Sequence, residues 1–312
     1  MQSPIIYFPK INYESYVSNL TDDIMSLDEK NMENTNPINI CISGGGMAAI
    51  YGSGILSVIL SLYQKKQIQI NHIYGTSAGA FSAFMFLLVM NTPINVSDFL
   101  YMVNNDLRNI YKRRKYIIDS WIELIETIIP PDFYKVCNDK LFITIHTIEN
   151  YSIKHRNIHR YESNEHLINT LKCSGTIPYL TTYSCFTLYK NHKKNITNTN
   201  ENHSNSSSSH YAFDGLFPVI VDNTYKTLYI NLVRYKYPLL HRIYFMEKIY
   251  DSLMLDGLYD IYHFLKKGEP SRSLYYYHKK QNKKKNVLIY NLSLQSLIGM
   301  FVYWYILPTY NR

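Results

Sequence analysis

The patterning of this chain predicts an α/β fold with a central, mostly parallel sheet and helices on both faces. Two strand–turn–helix units follow one another early in the chain. Ile38–Ile42 runs into a glycine cluster and a helical stretch; Ile70–Tyr74 runs into a second glycine turn and the apolar run Phe81–Met90. Further β-rich runs at Leu141–Thr147 and Thr227–Val233 alternate with helical patterning, as expected for strands laid side by side and joined through helices. A length of 312 residues, 46% of them hydrophobic and 18% charged, suffices for one large core.

Taken in order, residues 1–36 are polar and mixed and read as a partly ordered or helical leader, closed by Pro37. A main domain is expected over 37–275. Its first strand, Ile38–Ile42, is broken by Ser43-Gly44-Gly45-Gly46-Met47. The following helix, Ala48–Gln64, carries Ile55, Ile59 and Leu62 at helical spacing. Phe81–Met90 is apolar throughout but too short to span a bilayer, and is expected as a buried helix. Ser97–Asn109 and Asp119–Ile129 read as helices separated by the basic patch Lys112–Lys115, and Ser163–Lys172 as a helix capped by the Ser163 hydroxyl. After a strand at Tyr183–Leu188, residues 191–209 are so rich in Asn and Ser that they cannot bury themselves. They are expected as a loop insert between two β segments. Leu239–Lys267 is helical in pattern, with an interruption expected near Gly257. Residues 276–312 combine the basic cluster Lys279–Lys285 with the aromatic, apolar run Val287–Tyr310, which reads as a buried C-terminal helix or as a membrane-inserting segment.

Gly75-Thr76-Ser77-Ala78-Gly79 has the form G-x-S-x-G between a strand and a helix. This sharp turn pushes a serine Oγ out of the sheet, and the flanking glycines let strand and helix approach. The helix that starts behind Ser77 points free N–H groups and partial positive charge toward the site of a developing oxyanion. The earlier run Gly44-Gly45-Gly46 can aim backbone N–H groups at one point. No Gly-Lys-Ser/Thr closes it, so it is not a phosphate loop, and it lacks the G-x-G-x-x-G spacing of a dinucleotide site.

A net charge of +8 and a pI near 9.0 suit an anionic membrane surface or nucleic acid. No zinc-finger spacing or RNA-binding signature is present, so nucleic acid is not expected as a partner. The cysteines Cys41, Cys137, Cys173 and Cys185 show no metal-ligand spacing, and free buried thiols in an intracellular, reducing compartment are expected. Met1–Ile11 has no basic region followed by an apolar core, so no signal peptide is expected. The 11 histidines include no H-E-x-x-H, and neither a metal nor another cofactor is expected.

Cys41–Leu56, with its glycine run, resembles the oxyanion loop of the patatin-like phospholipases. Gly75-Thr-Ser-Ala-Gly79 follows at the family's short distance. Cys173-Ser-Gly-Thr-Ile-Pro-Tyr179 is similar to the family's small-residue-then-proline segment, and Phe213-Asp214-Gly215 to its Asp-Gly motif. The four segments occur in family order over residues 38–220. Ala48 and Ala49 stand where the family often has a basic residue and a glycine, and Leu216 where plant-type members have a small residue.

The resemblance implies a patatin-like three-layer fold and a Ser–Asp dyad, with Ser77 as nucleophile and Asp214 as general base and acid. It implies an oxyanion hole from the N–H groups of Gly45, Gly46 and Ala78, with Gly44, Gly75, Gly79 and Gly215 supporting the turns. The reaction implied is hydrolysis of fatty-acyl esters in glycerophospholipids or lysophospholipids; the basic charge and the cluster Lys279–Lys285 lead us to expect peripheral binding to an anionic membrane surface. A neutral-lipid or general carboxylester hydrolase, and an inactive lipid-binding protein, are the alternatives. Within the sequence, Asp256 of Leu255-Asp-Gly-Leu258 is a rival acid, and His241, His263 or His278 would complete a triad in α/β-hydrolase order.

Overall fold

Strand β1 (Ile38–Ile42) lies inside the sheet, buried on both faces, with Ile40 and Ile42 on one and Cys41 and a hydrogen-bonded Asn39 on the other. The computed structural model describes residues 13–28, 37–93, 117–149, 152–177, 181, 187–191, 208–215, 217–222, 224–234 and 250–277. In chain order these contain α1 (Tyr13–Asp28), β1, a 3₁₀ turn (Gly46–Ala48), α2 (Ala49–Gln64), β2 (Ile70–Thr76), α3 (Ala78–Met90), α4 (Ile117–Ile128), α5 (Tyr134–Cys137), β3 (Leu141–Glu149), β4 (Ser152–Ile158), α6 (Asn164–Gly175), β5 (Thr187–Asn191), β6 (Ser208–Asp214), β7 (Thr227–Ile230), a second 3₁₀ turn (Leu232–Arg234), α7 (Tyr250–Lys267) and β8 (Leu274–Tyr277).

The sheet has eight strands in the order β5-β6-β3-β2-β1-β7-β8, with β4 also paired to β3. Its centre, β3-β2-β1-β7, is parallel, while β4, β6 and β5 on one side and β8 on the other are antiparallel. This is the expected α/β architecture with helices flanking a sheet whose core is parallel. Alternation sorts the side chains. Ile40, Ile42, Ile73, Ile143 and Ile230 point into a large cluster shared with every described helix. Cys41, Tyr74, Phe142 and Tyr229 form a smaller cluster on the other face. Ile220, Tyr275 and Tyr277 pack on that smaller cluster; any further helical layer there falls outside the described residues.

α2 and α3 are apolar around most of their circumference, which suits helices buried on several sides. α2 meets α7 through glycines. A Cβ on Gly257 would run into the carbonyl oxygen of Tyr51, and one on Gly54 into that of Met254. The interruption expected near Gly257 is therefore absent: α7 continues through it, and the glycine serves close helix packing. Tyr51 Oη also donates to Asp260 Oδ2 at 2.7 Å across the same contact.

The leader is docked where it is described. Val17 and Ile24 of α1 enter the large cluster, Tyr13 Oη donates to Asp251 at 2.7 Å, and Lys266 Nζ lies 2.8 Å from Asp23. The N-cap expected at Ser163 is present, its Oγ accepting from the His166 N–H at 3.1 Å.

Several expected boundaries shift. Asn191 pairs with Ser208 and Lys190 with Ser209, so the low-complexity insert is confined to 192–207 instead of 191–209. Tyr276 and Tyr277, assigned by sequence to the C-terminal segment, extend the sheet opposite Leu228 and Thr227. The strand expected over Thr227–Val233 ends at Ile230 because the chain turns into the 3₁₀ segment. The helix expected at Ser97–Asn109, the basic patch Lys112–Lys115, Cys185 and the segment 278–312 lie outside the described residues. Cys41, Cys137 and Cys173 are free and buried, and burial raises all three thiol pKa values.

Candidate active site

The turn between β2 and α3 is tight enough to force a non-glycine residue into the left-handed half of backbone space: Ser77 has φ 54° and ψ −133°. Such a conformation costs about 1–3 kcal/mol and persists only where its surroundings over-determine it. Here they do. A Cβ on Gly75 would lie 2.6 Å from Ala80 Cα, and one on Gly79 would lie 2.5 Å from the Ser43 carbonyl oxygen and nearer still to that of Ile42. The backbone N–H of Ser77 donates to Ser174 Oγ at 2.9 Å, and that hydroxyl donates in turn to the Thr144 carbonyl at 2.8 Å. Ser77 is 6% exposed.

Strand register brings the acid to this serine. β4 occupies one edge of β3 over Ile143–Glu149. β2 pairs with β3 as far as Thr76↔Thr144, and β6 starts its pairing at Asp214↔Ile145. Since a strand has two hydrogen-bonding edges, β2 and β6 share the other one. They approach from opposite directions and end against each other, so the residue after Thr76 meets Asp214.

Ser77 Oγ donates to Asp214 Oδ2 at 2.5 Å, and Asp214 is also 6% exposed. The Asp214 N–H donates to the Thr176 carbonyl at 2.9 Å. Gly215 is required by space: a Cβ there would sit 2.6 Å from Thr76 Oγ1 and 3.0 Å from the Thr144 carbonyl oxygen. Leu216 lies outside the described residues.

The glycine run sits at the C-terminal end of β1, beside the β2 terminus, where Ile42 pairs with Gly75. A Cβ on Gly45 would overlap Leu232, and Gly46 has φ 57°. The loop is moored to the end of β7: the Ser43 N–H donates to the Ile230 carbonyl at 3.0 Å, and the Val233 N–H donates to Ser43 Oγ at 3.4 Å. Gly44 and Gly45 are buried and Gly46 half-buried. Ala78 begins α3 directly after the serine.

The structure thus brings together Ser77, Asp214, Ala78 and the glycine loop, and leaves the described rivals, Asp256 and His263, on α7. Asp256 stays on α7, next to the glycine that packs on α2. His263, also on α7, lies against the rings of Tyr259 and Tyr262. His241 and His278 lie outside the described residues. Among the described residues a different histidine, His146, reaches Asp214: its Nδ1 is 2.6 Å from the Asp214 backbone oxygen. Burial lowers the pKa of His146; burial and the neighbouring His146 lower that of His155, which falls from 6.5 to about 4.

Ser174, Thr176 and His146 are the supporting residues that sequence reading missed. The first two were visible only as members of a small-residue segment, and His146 carried no signal. No group of three or more His, Cys, Asp or Glu among the described residues could hold a metal ion.

Comparison with known proteins agrees with this geometry. No curated protein matches the chain. The family model described as patatin-like phospholipase matches residues 40–223, from β1 through the glycine loop, the serine turn and the Asp-Gly motif to the segment that follows it. That match covers more than half of the sequence, and the chain belongs to the patatin-like phospholipase family, a family of serine-based lipid acyl hydrolases.

Proposed function

We propose that the protein hydrolyses fatty-acyl esters of glycerophospholipids or lysophospholipids through a Ser77–Asp214 dyad and an acyl-enzyme. The observation that carries this reading is the 2.5 Å contact from Ser77 Oγ to Asp214 Oδ2, made by a serine whose backbone is held in a strained turn. Ser77 Oγ attacks the ester carbonyl carbon while its proton passes to Asp214 Oδ2. The carbonyl oxygen takes up the negative charge and is held by the N–H groups of Gly45, Gly46 and Ala78. Serine's own N–H is already bonded to Ser174, which favours the donors on either side of it. As the tetrahedral intermediate collapses, the bond to the leaving alcohol breaks and Asp214 returns the proton to that oxygen. Water then adds to the acyl-enzyme, giving a proton to Asp214. Collapse breaks the acyl–Oγ bond, Oγ recovers the proton and the fatty acid leaves.

Support for a lipid surface comes from sequence. The charge is +8, and the lysines of Lys279–Lys285 precede an apolar, aromatic run, which suits peripheral binding to anionic membranes. No helix among the described residues is long and apolar enough to cross a membrane.

The test is release of fatty acid from a panel of phospholipids, lysophospholipids, triacylglycerol and a short-chain ester, with Ser77→Ala as control. Serine-dependent release, greatest from phospholipid or lysophospholipid, is expected. Serine-dependent release confined to triacylglycerol or the short-chain ester would replace the phospholipid assignment. No release from any substrate would make the protein a lipid binder.

A further inference from the structure

We propose that His146, backed by His155, is a positioning residue for Asp214: it grips the acid by its backbone and thereby fixes where the proton acceptor stands relative to Ser77. This rests on the dyad reading above.

His146 on β3 pairs with Phe213 on β6, and the two rings stack with centroids 5.2 Å apart and planes inclined by 19°. From there its Nδ1 reaches the Asp214 carbonyl oxygen at 2.6 Å. A carbonyl oxygen only accepts, so Nδ1 carries the hydrogen. His146 Nε2 lies 3.1 Å from Nε2 of His155, its cross-strand partner on β4. With Nδ1 protonated, a neutral His146 accepts at Nε2, and His155 then donates from its own Nε2. The Asp214 carbonyl thus commits His146 to one tautomer and His146 commits His155, whose donation holds the His146 ring in the plane that serves the carbonyl.

Asp214 is the last residue of β6, where the ladder ceases to constrain the chain. Its two peptide groups are held separately: the N–H by the Thr176 carbonyl at 2.9 Å, the carbonyl by His146. The first contact restrains φ and the second ψ, so the carboxylate is left with side-chain torsions alone to reach Ser77. A misplacement of about 1 Å in such a group can cost roughly a hundredfold in rate. The pair thus acts where a triad histidine does not: it holds the main chain of the acid and leaves the carboxylate to the serine.

The test uses the full chain and a soluble ester, comparing wild type with His146→Phe, His146→Asn and Asp214→Asn. Phenylalanine keeps the ring and its stacking on Phe213 but has no donor. Asparagine gives up the ring and keeps an amide N–H near the position of Nδ1. His146→Phe is expected to lower kcat at least tenfold with KM within twofold of wild type, and His146→Asn to restore kcat to within threefold. A packing role alone would reverse that order, with Phe tolerated and Asn impaired, and would overturn the proposal. So would wild-type kcat in His146→Phe while Asp214→Asn is inactive, a result that leaves the dyad standing. Near-wild-type turnover by Asp214→Asn would remove the dyad itself and the positioning role with it. If His146→Phe does not fold, His146→Gln takes its place, since its amide reaches the position of Nε2 and leaves that of Nδ1 empty. The same fall in kcat supports the proposal, and unchanged kcat overturns it.

Discussion

Ser174 holds the Ser77 backbone in a conformation that a non-glycine residue rarely adopts, through one hydroxyl that accepts from the Ser77 N–H and donates to Thr144. Removing that hydroxyl leaves two buried main-chain groups without a partner they now have, at a cost of about 1–3 kcal/mol. Ser174→Ala is therefore expected to lower the free energy of unfolding by that amount, read as a lower urea midpoint at unchanged m, and to reduce turnover more than binding, because the strained turn relaxes first. Equilibrium unfolding and steady-state kinetics on one preparation check this; unchanged values in both would remove Ser174 from the support of the turn. At this scale the sequence was informative where a residue acts through its own identity. Ser77 stands at the apex of a glycine-flanked turn and Asp214 precedes a glycine, and both patterns are visible in the chain. Ser174, from α6, and His146, from β3, act on other residues' main chains at separations of 97 and 68 residues, and no local pattern records that.

β3 is the element that assembles the site, because β2 and β6 end against each other on its one free edge. The strands read correctly from sequence are short runs dominated by apolar residues and bounded by glycine or polar breaks, such as Ile38–Ile42. β4 escaped because Ser-Ile-Lys-His-Arg-Asn-Ile has too few apolar residues to show a strand period. It forms because β3 offers it a long edge and Arg156 an ion pair with Glu149 at 2.6 Å. Glycine misled at Gly257, where its role is contact between α2 and α7. Gly257→Val would press a branched side chain onto the Tyr51 carbonyl, and a loss of about 1–3 kcal/mol is expected by denaturant unfolding. Stability equal to wild type would mean that the two helices can separate at no cost. The hairpin β5–β6 makes the opposite prediction. Its strands are paired down to Asn191↔Ser208, so excising 194–205 removes connection without ladder. Stability is expected to stay within about 1 kcal/mol and ester hydrolysis unchanged, since closure entropy varies slowly with loop length. Loss of activity on vesicles alone would make the tract an interfacial element.

At the scale of the whole molecule, the family match ends at residue 223, yet the fold continues past it: β7, β8 and α7 complete the sheet and the core. Under the proposed peripheral binding, a charge of +8 with the cluster Lys279–Lys285 would set the terms on which the protein meets a membrane. Attraction of about 1 kcal/mol per lysine fades within a Debye length of roughly 8 Å at physiological salt, whereas apolar insertion is not screened in that way. Co-sedimentation with anionic vesicles is expected at low salt and is expected to be lost at high salt. Retention through high salt and alkaline wash would instead point to an inserted segment. The proposed function places the chemistry at one pair of side chains, so the most direct measurement is ester hydrolysis by wild type, Ser77→Ala, Asp214→Asn and the double variant, each shown to be folded. Residues that act as a unit lose their effect together. The account predicts that each single substitution lowers kcat by at least about a thousandfold and that the double variant is within threefold of either. Asp214→Asn turning over within tenfold of wild type, or a double variant whose loss is the product of the singles, would contradict it.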